Sequence, residues 1–248
     1  MWYKVKKIYQ WTNQVRPTGW TPGSNTLVYL PLDWDANDSS WNWNNGTVSS
    51  NSWSYSWQYI SWSSWRKCFY SSLWATTSEL AWWVVSWTYA SSAIRSNPRT
   101  VSIWFKSTGQ TAQWSWQWIW NRSWSTQWEW FWLFSSISWN KFWILRYYSD
   151  PYITKSSWDS NWHNYIITYD NTNKSKLYID WVLQTFAGNG TVTFDTLGTA
   201  YQLWILRVSG TSTSTNIYFS EYIIENKVRT ATEVLNYFNT FKWDYWIS

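Results

Sequence analysis

The chain has 248 residues, a net charge of +5 and a pI near 9.1, with 45% hydrophobic and only 13% charged residues, which excludes extended disorder. One Cys (Cys68) and one His (His163) exclude an internal disulfide framework, a cysteine-rich zinc site and a multi-histidine metal centre. No apolar run approaches the roughly 18 residues a membrane-spanning helix needs; the longest, near 128–134, is broken by Glu129.

Taken in chain order, residues 3–9 alternate as a basic strand, with Tyr3, Val5 and Ile8 against Lys4, Lys6 and Lys7. A turn-rich linker follows at 18–24, with Gly19, Pro22 and Gly23. Residues 1–24 thus read as an arm, either an edge strand of the main domain or an assembly element. No apolar h-region follows the first lysines, so no secretory signal peptide is read. Residues 25–248 read as one domain.

Short strands are expected over 27–32, 67–71, 100–106, 117–121, 131–137, 142–148, 164–169, 174–179, 182–186, 191–194, 202–208 and 216–225. Ser, Thr, Asn and Asp clusters separate them. This spacing predicts an all-β fold, an antiparallel two-sheet jelly-roll sandwich. Thr230-Ala231-Thr232-Glu233 is a capping box. It predicts a short C-terminal helix over 231–241, with Val234, Leu235 and Phe238 on its inner face.

The abnormal numbers are 31 Trp and 8 Gly. Gly is used about half as often as the ordinary ~7%. Trp stands in turn compositions where Gly is expected: at Trp34 between Asp33 and Asp35, at Trp41 and Trp43 before Asn44-Asn45-Gly46, at Trp139, and at Trp181 after Asp180. An Asp-Gly step between two strand patterns is a strong hairpin signal, because both turn residues need φ > 0. The two anomalies share one explanation: most of these tryptophans are glycines in the living cell, encoded by UGA and translated here as Trp. Trp34, Trp43, Trp139 and Trp181 are then expected at exposed turns, some at positive φ. In the other reading, Trp114, Trp116, Trp118 and Trp120, with Trp128, Trp130 and Trp132, alternate along two strands and line a stacking platform for sugars or bases. So many exposed indoles would make an aggregation-prone patch, which favours the glycine reading.

Residues 30–46 (LPLDWDANDSSWNWNNG) resemble the opening strand and loop of laminin G-like jelly rolls. Residues 100–106 (TVSIWFK) resemble that family's aromatic-pair strand, 161–170 (NWHNYIITYD) its Trp-His strand, and 176–181 (KLYIDW) its Leu-Tyr-Ile-Asp-Gly hairpin. Residues 221–224 (EYII) with 230–239 resemble its last strand and closing helix. The resemblance runs in order over 27–241 and departs from the family at 34, 41, 43 and 181, where Trp replaces Gly. It implies the two curved sheets of the concanavalin A-like lectin and glucanase superfamily, and binding or adhesion, with calcium in some members. It also implies that Trp104 and Trp162 are genuine and buried.

The chemistry points the same way. Glucanases of this fold need closely spaced carboxylates as nucleophile and general acid. The acids here are scattered and Glu129 is alone on its strand, so the chain is read as no enzyme and a glycoside hydrolase as the least favoured reading. His163 could serve a triad, but a structural histidine is favoured. Asp33, Asp35 and Asp38 crowd oxygen ligands as a weak calcium candidate; the EF-hand pattern fails, with Asp38 and Asn44 at the positions wanting Gly and Glu. An Asx-rich turn outweighs calcium, and no other cofactor is expected. The basic residues are dispersed, so neither nucleic acid nor membrane insertion is expected. For sugar, the densest aromatic and polar cluster is Arg146, Tyr147, Tyr148, Asp150 and Tyr152. The leading expectation is a non-catalytic carbohydrate-binding or adhesion module on a cell or virion surface, with a glycan or cell-surface ligand as partner. The alternative is a structural subunit of a phage particle or surface assembly, joined through the arm.

Overall fold

The computed structural model describes residues 21–33, 35–40, 42–50, 55–60, 67–75, 80–88, 98–108, 116–122, 130–136, 141–145, 152–154, 160–170, 175–185, 200–208 and 213–245. Their strands are β1 (Thr26–Leu30), β2 (Thr47–Ser50), β3 (Tyr55–Tyr59), β4 (Lys67–Ala75), β5 (Leu80–Thr88), β6 (Arg99–Thr108), β7 (Trp116–Arg122), β8 (Trp130–Ser136), β9 (Lys141–Leu145), β10 (Tyr152–Thr154), β11 (His163–Tyr169), β12 (Ser175–Ile179), β13 (Val182–Leu183), β14 (Ala200–Val208) and β15 (Thr213–Glu225). Helix α1 (Ala231–Phe241) and a 3-10 turn (Lys242–Tyr245) close the chain.

The strands form two antiparallel sheets. The first runs β13-β12-β11-β6-β15-β4-β3, with β1 also paired to β15; the second runs β10-β9-β8-β7-β14-β5-β2. The chain crosses repeatedly from one sheet to the other, the connectivity of a sandwich rather than a meander. The fold is the expected all-β one, with a short C-terminal helix.

The middle of the first sheet is buried on both faces, which explains the unbroken burial along β1 and almost all of β11. On one face Tyr29, Cys68, Trp104, Ile166, Tyr178 and Ile223 form a cluster with Val234, Tyr237, Phe238 and Phe241 of α1 and with Tyr245. On the other face, Phe105 lies 5.2 Å from Phe219 and 6.1 Å from Tyr165, ring centre to ring centre. A sheet covered on both sides reads as a continuous apolar run instead of an alternation.

The helix follows its local signals. Thr230 Oγ1 accepts the Glu233 N–H at 3.2 Å, and the Glu233 carboxylate accepts the Thr230 N–H at 2.8 Å. Val234, Tyr237, Phe238 and Phe241 are buried at the i, i+3, i+4, i+7 spacing of one helix face. This corrects the expected inner face: Leu235 lies at its margin, half-buried. The buried Arg229 guanidinium donates to Glu225 at 2.5 Å and lies over the Tyr237 ring at 4.2 Å, fixing how α1 leaves the sheet.

β15 changes partner midway, pairing with β4 up to Phe219 and with β1 from Tyr222. The register slips between Ser220 and Ile223, where Glu221 takes φ 56°. Glu221 is fully buried; its carboxylate accepts the Tyr29 hydroxyl at 2.5 Å and its N–H donates to the Pro31 carbonyl at 3.1 Å.

Some boundaries differ from expectation. β2, β3, β5 and β10 were not predicted, β13 is only Val182–Leu183, and β9 ends at Leu145. Residues 1–20 of the 1–24 arm, the strand expected over 191–194, and Trp34 and Trp139, expected at exposed turns, lie outside the described residues. Among the described residues, no helix is long and apolar enough to cross a membrane.

Candidate functional site

The Asx-rich loop after β1 is knitted to its own backbone. Asp38 Oδ1 accepts the N–H groups of Tyr29 and Ser40, each at 2.9 Å. Its Oδ2 accepts Ser40 Oγ at 2.7 Å and the Asn44 N–H at 2.9 Å. Asp35 accepts the Asn37 N–H and side-chain amide at 2.9 and 2.6 Å. The side-chain amides of Asn42 and Asn44 donate to the Leu27 carbonyl at 3.1 and 2.9 Å. With these donors on its oxygens, Asp38 organises the loop, as an Asx turn does. Among the described residues, no group of three or more His, Cys, Asp or Glu could hold a metal ion, so Asp33, Asp35 and Asp38 do not come together as one.

The hairpin β12–β13 turns through Asp180 and Trp181, at φ 49° and 67°, with Ile179 paired to Val182 across the turn. Two positive-φ residues between paired flanks is the geometry expected for an Asp-Gly hairpin. Asp180 Oδ2 lies 2.5 Å from His163 Nδ1, and its Oδ1 accepts the Asn164 N–H at 2.8 Å. The histidine therefore ties the turn to β11. Trp181, Val182 and Leu183 are exposed beyond this tie.

The second sheet offers a broad face. Its register places Trp132, Trp120 and Trp204 opposite one another across β8, β7 and β14. In the neighbouring row Trp82, Leu206, Trp118, Phe134, Trp143 and Tyr152 are aligned from β5 to β10. Positions next to these in the pleat, such as Ile119, Leu133, Ile144 and Ile205, belong to the opposite face. Ile153, at a position on that opposite face, is buried.

Tyr152 thus begins β10, the terminal strand of this sheet, in register with Trp143. Arg146, Tyr147, Tyr148 and Asp150 belong to the connection between β9 and β10 and lie outside the described residues. The alternation of Trp116, Trp118 and Trp120 was legible in the sequence. The joining of Trp82, Trp143 and Trp204 to their face was not, because it depends on strand order.

No protein-family model matches the chain, and no curated protein matches it in sequence. Solved structures do match in fold. The binding domain of botulinum neurotoxin DC in complex with rat synaptotagmin II is 13% identical, with a TM-score of 0.65 over 88% of this chain and 52% of that one. The same binding domain in complex with SialylT gives 0.63 at 13% identity over 89% and 52%. A botulinum neurotoxin type C structure, whose cell entry is described as dependent on two ganglioside molecules, gives 0.59 at 14% identity over 87% and 51%. The chain therefore spans about half the length of the solved chains it resembles, and at this identity the likeness is one of fold.

Proposed function

We propose that the chain is a non-catalytic, laminin G-like module that binds carbohydrate on a cell or virion surface. The observation that carries this reading is the placement of Tyr152 on the terminal strand of the second sheet, in register with Trp143 and next to the connection holding Arg146, Tyr147, Tyr148 and Asp150. The sequence there combines aromatic and polar residues, the composition sugar recognition calls for. The fold shared with a neurotoxin binding domain in complex with SialylT, and with a neurotoxin whose cell entry depends on two ganglioside molecules, supports it. So does the position of the Trp-His and Leu-Tyr-Ile-Asp segments in β11 and the β12–β13 hairpin, where laminin G-like proteins would have them. The reading takes most of the tryptophans as glycines, and it needs no metal.

A glycan array probed with the chain carrying Gly in place of Trp at the turn positions tests it. Binding that is lost in Tyr152→Ala and Arg146→Ala is the expected result; no binding to any glycan contradicts it.

A second reading is a structural subunit of a phage particle or surface assembly. The exposed Val182 and Leu183 on β13, the terminal strand of the first sheet, favour it, because sheet edges pair with other chains. In that case deleting residues 2–17 abolishes assembly and leaves the sandwich folded; unfolding on deletion contradicts it.

A further inference from the structure

Two kinds of tryptophan position stand apart among the described residues. Trp104 is fully buried, its ring stacked 4.0 Å from that of Tyr245 and 5.8 Å from that of Phe238. Trp162 is 5% exposed and meets Tyr245 edge-on at 4.9 Å and Tyr218 at 6.1 Å. Both have ordinary backbone. Trp43 and Trp181 are the opposite: φ 59° with 80% exposure, and φ 67° with 48%.

A left-handed backbone brings Cβ against the following carbonyl oxygen, so a residue with a large side chain holds it only where surrounding contacts impose it. Leu32 and Glu221 are also left-handed, but both are buried, and Glu221 is held by Tyr29 and Pro31. Asp180 is left-handed too, and Asp tolerates this in turns. At 43 and 181 the indole is in water while the backbone is imposed from outside. Asn42 and Asn44 on either side of position 43 are anchored to the Leu27 carbonyl. Position 181 is the second residue of a two-residue hairpin. Exposure alone does not mark the pair: Trp243 is 69% exposed with a right-handed backbone. The backbone thus favours glycine at two tryptophan positions, while a large aromatic ring fills the packing at two others.

We propose that the protein made in its own cell carries glycine at positions 43 and 181 and tryptophan at 104 and 162, with UGA codons at the first pair read by a glycine-charged tRNA and UGG codons at the second. Two codons, not one, underlie the tryptophans of the printed chain. This goes beyond the binding reading and does not depend on it: a glycan array can be empty while the codon assignment stands.

The test is peptide mass spectrometry of the protein isolated from its own source, read beside the gene. The expected result is glycine in the peptides spanning 43 and 181, encoded by UGA, and an intact indole in those spanning 104 and 162, encoded by UGG. Trp at 43 or 181 in the native protein, or a UGG codon at either, overturns the proposal. Glycine at 104 or 162 overturns the division between the two pairs.

Discussion

The ring of Tyr245 lies flat on the indole of Trp104, with centroids 4.0 Å and planes 7° apart. This contact joins the last turn of the chain to the middle of the first sheet, because Trp104 sits on β6 between β11 and β15. Trp104→Ala therefore removes a fully buried ring and the platform beneath Tyr245 together. The expected loss is about 3–5 kcal/mol, measured by denaturant unfolding. A loss under about 1 kcal/mol would mean the stack contributes little beyond what a surface substitution does.

The Asp180 carboxylate holds two groups of β11, His163 and the Asn164 N–H. Asp180→Ala leaves the Asn164 amide to its remaining contacts, at a cost of about 1–3 kcal/mol for a partly buried charged acceptor. Hydrogen exchange should show faster exchange of the Asn164 amide in the variant. Unchanged exchange would place the hairpin's anchorage in the backbone ladder alone.

The Glu233 carboxyl is pushed down from 4.5 to about 2, first by its hydrogen bond with Lys227 and then by the Thr230 N–H. A depressed folded-state value means the stabilisation is present above the ordinary carboxylate value and is lost as pH falls from about 4.5 towards 2. Far-UV circular dichroism should show α1 losing its N-terminal support in that window, and Glu233→Gln should remove this part of the acid dependence. An identical acid profile in the variant would contradict the assignment.

Burial pushes the Cys68 thiol up to about 12, against the opposing effect of Lys106. At mildly alkaline pH the folded protein should therefore resist thiol reagents, and react only once denatured. Rapid labelling of the folded protein would show that β4 opens readily.

The helix and its cap were legible because their signals are local: Thr230 and Glu233 lie within one turn, and Val234, Phe238 and Phe241 repeat at helical spacing. β6, β11 and β12 were legible because their apolar runs end at polar turns. β5 was missed because Leu80–Thr88 interrupts no alternation and carries Trp82, Trp83 and Trp87, whose spacing marks no single face. The Asp180–Trp181 turn was legible from Asp180 and the two flanking strand patterns, although the second turn residue is the wrong one for its backbone. Register was not legible. That Trp120 faces Trp132 and Trp204 follows from strand order, which no local pattern encodes. For the candidate site, the sequence pointed to Tyr152 by composition, and only the sheet order puts it on an edge.

Backbone conformation dictates residue type at 43 and 181, and thermal unfolding tests this most directly. The comparison is the chain as given against Trp43→Gly with Trp181→Gly; if the former does not fold, both are compared where every tryptophan but Trp43, Trp104, Trp162 and Trp181 is already replaced by glycine. Relieving two left-handed tryptophans gains roughly 1 kcal/mol at each position after glycine's larger unfolded-state entropy is subtracted. The Tm should therefore rise by about 2–4 °C for each position, whereas Trp104→Gly or Trp162→Gly should lower it. An unchanged or lower Tm on replacing Trp43 and Trp181 would contradict the account.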